Sequence, residues 1–189
     1  MLQSIRAVFA IVAILMAAAC NGPAALSVLP PDLAGIDVAR GPAPAYRDAI
    51  TVASVTVGQD TATPWASQVS PAQVQAALAE TLAAARLGAA QNGRYRLDAV
   101  LLTLQRPYAG FAMTVTATIA YRLTEVATGM VVYTSTLTTL GSASLNDAVM
   151  NDVRLRIADE RAVSANFRRL VEELYGLPER GPVTSSRRT

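Results

Sequence analysis

Residues 111–140 read FAMTVTATIAYRLTEVATGMVVYTSTLTTL, and the architecture follows from this stretch. Phe111, Met113, Val115, Ala117, Ile119, Tyr121 and Leu123 alternate with Ala112, Thr114, Thr116, Thr118, Ala120, Arg122 and Thr124. A period of two with one apolar side is the pattern of a half-buried strand, here with a threonine-rich outer face. Ala127-Thr128-Gly129 turns the chain, with Gly129 supplying the positive φ of a tight hairpin and Glu125 solvated beside it. Met130 to Leu140 then returns antiparallel, Val131, Tyr133, Ser135 and Leu137 alternating with Val132, Thr134 and Thr136.

Upstream, Pro107-Tyr108-Ala109-Gly110 is a turn, preceded by a strand from Arg94 to Gln105. Both faces of that strand are apolar, which predicts a central place in the sheet or a helix cap or loop over the second face. Ser70-Pro71-Ala72-Gln73 has the form of a capping box with proline at the first helical position, and Val69 and Val74 are spaced for a hydrophobic staple. Val74, Ala77, Leu78, Leu82 and Ala85 make one helical face, with Gly88 as the stop. Ile50–Val57 is a β-branched, alternating strand, joined to the helix by a loop over 58–69 that holds Trp65. Downstream, residues 141–157 are open between strand, loop and helix, because Val153, Leu155 and Ile157 alternate with arginines. From Asp159 the spacing of Val163, Phe167, Leu170, Val171 and Leu174 predicts a helix ended by Gly176 and Pro178. The order β-α-β-β-β-α leaves two amphipathic helices to cover one apolar sheet face. The expected class is therefore α+β, a two-layer sandwich over residues 49–176 with a mostly antiparallel sheet packed against two helices. Residues 177–189 read as a disordered tail.

The N-terminus carries a different signal. Arg6 precedes an unbroken apolar run, Ala7 to Ala19, too short to span a bilayer, which takes roughly 20 apolar residues. Its small-residue end, Ala17-Ala18-Ala19-Cys20, resembles the lipobox of bacterial lipoproteins. The resemblance implies cleavage after Ala19, with residues 1–19 removed as a signal peptide, and acylation of Cys20. Cys20 is the single cysteine in 189 residues, so an internal disulfide is excluded and lipidation gives the thiol a purpose. Asn21 follows it where Asp would signal retention, which points to the periplasmic face of the outer membrane, with the inner membrane as the alternative. Residues 20–48, proline-rich and without a sustained period, read as a lipidated N-terminus and tether. Leu26, Val28, Leu29, Leu33, Ile36 and Val38 are apolar enough for part of it to lie along the domain.

Composition removes much chemistry. All 16 basic residues are Arg, and there is no His and no Lys. A Ser-His-Asp triad, a histidine base, a His-ligated zinc and a lysine phosphate loop are thereby excluded. No cofactor is expected. Without residues 1–19 the formal charge is near balance, which argues against nucleic acid as a partner. The acids fall mostly in turns and on predicted exposed helix faces, none in an apolar setting that would tune it for catalysis. Three side chains are candidate partner contacts. Trp65 is an aromatic anchor in a loop or else a cap over the sheet edge, and Arg154 and Arg156 are guanidinium groups suited to an anion. Neighbouring acids, Asp152, Asp159 and Glu160 among them, make surface ion pairs the competing reading for the arginines.

The hairpin Tyr121-Arg122-Leu123-Thr124-Glu125-Val126-Ala127-Thr128-Gly129-Met130-Val131-Val132-Tyr133 resembles the acid-x-x-Thr-Gly hairpin of periplasmic lipoprotein domains. These include the curli-secretion lipoprotein, the N-terminal domain of the Tol-system periplasmic protein and the lipopolysaccharide-assembly lipoprotein. The resemblance implies a non-catalytic, lipid-anchored component of envelope assembly or of lipid or lipopolysaccharide transport, with an envelope protein as partner and the membrane held through Cys20. A carrier of lipid or another small ligand is the alternative, and a hydrolase or acyltransferase the third reading.

Overall fold

The computed structural model describes residues 31–58, 70–106 and 112–178. Its elements are β1 (Ile50–Val57), α1 (Pro71–Ala84), β2 (Tyr95–Gln105), β3 (Met113–Glu125), β4 (Val131–Ala143) and α2 (Asn151–Tyr175), after a 3-10 turn at Pro44–Tyr46. The class is α+β, as the sequence predicts. The four strands lie in the order β1-β2-β3-β4. β1 and β2 are parallel, joined across α1, and the other neighbours are antiparallel. β2 sits inside the sheet, as predicted, although its outer side carries Arg96 and Asp98 beside Val100.

One strand alternation lies under the helices. Tyr95, Leu97, Ala99 and Leu101 of β2 share that side with Met113, Val115, Ala117, Ile119, Tyr121 and Leu123 of β3, and all are buried. The helical faces meet them: Val74, Ala77, Leu78, Leu82 and Ala85 from α1 and its end, and Val163, Phe167, Leu170, Val171 and Leu174 from α2. The core is aliphatic with a few large rings. Tyr46 is buried ahead of β1, and its ring centroid lies 5.0 Å from that of Tyr95.

The open segment 141–157 divides into three. Gly141 to Ala143 finish β4, a loop covers 144–150, and α2 starts at Asn151. The alternation of Val153, Leu155 and Ile157 imitates a strand. The burial instead follows Arg154, Ala158, Ala162 and Asn166, spaced four apart on one helical face. Two of these are alanines for a reason. A Cβ added at Gly141 would stand 2.2 Å from the Ala162 nitrogen and 2.3 Å from the Ala158 oxygen, so helix and strand backbones meet here.

Three local expectations need correction. Ser70 makes no side-chain cap bond; its carbonyl accepts from the amides of Gln73 and Val74 at 3.0 and 3.1 Å, so the capping box does not form. The staple to Val69 lies outside the described residues. Gly88 does not end α1. The helix stops at Ala84 and Arg86 takes the left-handed conformation at φ +55, while Gly88 bridges to Ile50 beside the Ala83 backbone. Glu125 is not simply solvated either: it accepts from Arg94 at 2.8 Å and from the Thr128 hydroxyl at 2.8 Å. Gly129 does take positive φ, +69.

Candidate functional site

The face of the sheet turned away from the helices is rich in hydroxyls, with Val100, Ala120, Val131 and the exposed Leu140 among them. The strand register sets Thr114 opposite Ser142, Thr118 opposite Thr138, and Thr103 opposite Thr118. Thr116, Thr124, Thr134 and Thr136 share this face, and Thr51, Ser54 and Thr56 continue it onto β1. β-branched threonine suits a pleated surface open to water, and its hydroxyls pair across strands. Thr114 and Ser142 are 3.0 Å apart and Thr118 and Thr138 3.1 Å. Charge is confined to one region, where Arg96, Asp98 and Arg122 stand together on β2 and β3. Here Ser54 donates to Asp98 at 2.6 Å, and Arg96 approaches the same carboxylate at 3.3 Å. A serine on a carboxylate has no imidazole to relay its proton in a chain without histidine. The arrangement is a set of hydroxyls around one carboxylate–guanidinium cluster.

Behind the sheet lies a buried polar group that no sequence pattern signals. Asn166 is sealed under α2. Its amide donates to the Leu137 carbonyl at 2.8 Å and the Thr139 hydroxyl at 3.1 Å, and its oxygen accepts from Tyr121 at 2.9 Å. Burial holds the Tyr121 phenol well above its ordinary pKa. Tyr133 is also pushed up, first by burial, and donates to Glu173 at 2.7 Å. These bonds fix α2 over β3 and β4.

The expectation that no acid occupies an apolar setting is corrected by Asp159, which is 3% exposed. Desolvation raises its pKa, opposed by Arg106, whose guanidinium lies 2.8 Å away. The helix faces the core earlier than Asp159 because α2 starts eight residues before it, at Asn151. A carboxylate paired this closely with a guanidinium ties the end of β2 to α2.

Arg154 is itself buried, at 3% exposure. It donates to the carbonyls of Ala148 and Val149 at 3.1 and 2.7 Å and to the Asn151 side chain, bracing the 144–150 loop from within. Arg156 is half-buried and pairs with Glu160 at 3.0 Å. The two arginines therefore do not converge on one surface site. From outside, Arg161 donates to the Ser142 carbonyl and to Asp147, both at 2.6 Å. Asp147 also accepts from the Ser144 amide at 2.8 Å, and these donors, Arg161 first, hold its carboxyl well below the usual range. The braced loop presents Leu145, Val149 and Met150 to water. Cys20, Ala19 and Trp65 lie outside the described residues. Among the described residues no cluster of His, Cys, Asp and Glu would hold a metal, and no helix is long and apolar enough to cross a membrane.

No protein-family model matches the chain, and no curated protein sequence does. Solved structures do. A Xanthomonas campestris protein of the DUF330 family superposes with a TM-score of 0.53 at 18% identity, covering 72% of this chain and 90% of that one. A Caulobacter crescentus protein, named provisionally as a lipoprotein, gives 0.48 at 12% identity, with 68% and 89% covered. The minor lipoprotein from Acinetobacter baumannii gives 0.44 at 15% identity, with 68% and 96% covered. The first shows a shared fold. The other two are too distant in shape to carry an argument.

Proposed function

We propose that the protein is a non-catalytic, lipid-anchored periplasmic component of an envelope assembly or of a lipid or lipopolysaccharide transport system, and that it acts by binding. The observation that carries this reading is the open sheet face, a field of threonine and serine hydroxyls in a chain without histidine or lysine. Such a face offers many weak donors and acceptors and no base to activate one of them. Ala17-Ala18-Ala19-Cys20 supplies the anchor, and Asn21 favours the outer membrane. A groove for a small ligand between helices and sheet is less well supported, because Leu78, Leu82, Leu97, Val115 and Phe167 fill that layer.

The test is a photo-crosslinking residue placed in living cells at Thr116 or Thr136 on the open face, and at Ala79 on α1 as control. A discrete adduct with an envelope component is expected from the first two positions and not from Ala79. Adducts independent of position, or reproducible esterase, phosphatase or glycosidase turnover by the purified chain, contradict the reading.

A further inference from the structure

The two edges of the sheet are treated differently. β1 is short and carries a bulge at Ala53; its Val52 carbonyl accepts from the Gln75 side chain at 3.3 Å, and Ile50 bridges to Gly88. Bulges and covering groups are how folded proteins keep an edge strand from pairing further. β4 shifts register with β3 at Val132, and its Ser142 carbonyl accepts from Arg161 at 2.6 Å, but from Tyr133 to Gly141 its register with β3 is unbroken. It contains no proline, and from Val126 to Asn146 the chain has no charged side chain. Among the described residues, the exposed large hydrophobic side chains are Val126, Met130, Val131, Leu140, Leu145, Val149 and Met150. One group gathers at the start of β4. The other follows its end, with Val149 84% exposed on the loop that buried Arg154 braces.

We infer that the β4 edge pairs antiparallel with the β4 edge of a second copy of this chain, making one continuous eight-stranded sheet. An antiparallel two-fold through the middle of β4 sets the hairpin tip of each copy, Val126 and Met130, beside the Leu145–Met150 loop of the other. Both apolar groups are covered at once, as a self-complementary interface requires. Charge does not oppose the arrangement: the Arg94–Glu125 pair at one end of each copy and the Arg161–Asp147 pair at the other are each neutral in themselves. The two-fold stands perpendicular to the sheet, so both helical layers lie on one side. Residues 32 and 34 of each copy are held to α2 by Arg168, on that same side.

The experiment is sedimentation equilibrium on the chain purified from cells expressing Cys20→Ser, which removes lipid from the measurement. A dimer is expected. Met130→Lys alone, or Leu145→Glu alone, should weaken it by at least about tenfold, the scale of losing one anchoring contact. Mixing the two variants should restore the dimer, because the new ammonium of one copy then meets the new carboxylate of the other while the second contact stays apolar. Both positions are exposed, and unchanged melting of each variant excludes misfolding. A monomer at all concentrations, a dimer indifferent to both substitutions, or no rescue on mixing overturns the inference, and capture of a different envelope protein by a monomeric chain assigns the edge to that partner instead. None of these results depends on lipidation, which is read separately by labelling wild-type Cys20.

Discussion

The Tyr121 hydroxyl donates to the Asn166 side-chain oxygen at 2.9 Å, with both groups sealed between α2 and the sheet. Asn166→Leu removes the acceptor and leaves the phenol buried without it. The expected loss is about 1–3 kcal/mol, the cost of one orphaned polar group. Tyr121→Phe should cost less, and the double variant should cost less than the sum of the two. Urea unfolding of the four forms checks this, and strict additivity would deny the coupling.

Gly141 and Gly129 separate two uses of glycine. At Gly141 a methyl group would overlap the α2 backbone, so Gly141→Ala must push helix and strand apart, at a cost of about 1–3 kcal/mol or more. At Gly129 no atom lies within 4 Å and only the positive φ resists a side chain, so Gly129→Ala should cost about 1–2 kcal/mol. Thermal melting ranks the two. A Gly141→Ala variant as stable as wild type would mean that α2 does not cross β4 this closely.

This contrast marks what is legible in the sequence. Wherever one face of an element is apolar, the period announces it: the β3–β4 hairpin, the α1 stripe, and the Val163–Leu174 face all lie where the spacing puts them. The early turns of α2 are ambiguous because Arg154 and Asp159 occupy inward positions, and buried ions erase an apolar pattern. Gly141 carries no turn signal, since its role is set by Ala158 and Ala162 across the layer. The Thr-rich face is readable from β3 alone, but its continuation over β1, β2 and β4 depends on the register. Asn166 has no signal at all: a single amide inside an apolar stripe reads as an exposed position until Tyr121 is seen beneath it.

Asp159 makes stability depend on pH in an unusual direction. Its folded pKa is raised, chiefly by desolvation, so the native state holds this proton more readily than the unfolded chain does. Its contribution is therefore fully present below the unfolded value, near 3.8, and is lost as pH rises through the folded value. The difference in stability between wild type and Asp159→Asn should shift against wild type across that window. Denaturant titrations of both proteins at a series of acidic pH values check it. A difference that shifts in favour of wild type over the same range would show that Arg106 dominates.

Asp147 behaves oppositely. Hydrogen bonds from Arg161 and Ser144 hold its carboxyl well below the usual range, so the brace on the 144–150 loop persists above the unfolded pKa and is lost as pH falls through the folded one. Hydrogen exchange of the Ser144 and Asn146 amides should stay slow at pH values where ordinary carboxylates are already half protonated. Arg161→Ala should move the release to higher pH. Equal exchange in the two proteins would mean that the ion pair does not hold the loop.

Whether this domain works on a lipid tether can be read from the intact mass of the chain extracted from membranes. The expected species is a polypeptide beginning at Cys20, heavier than its sequence by the mass of attached acyl and glyceryl groups, alongside a Cys20→Ser form that is no longer retained through a carbonate wash. A chain that still begins at Met1, or one cut after Ala19 with a free thiol at Cys20, would mean that no such tether exists.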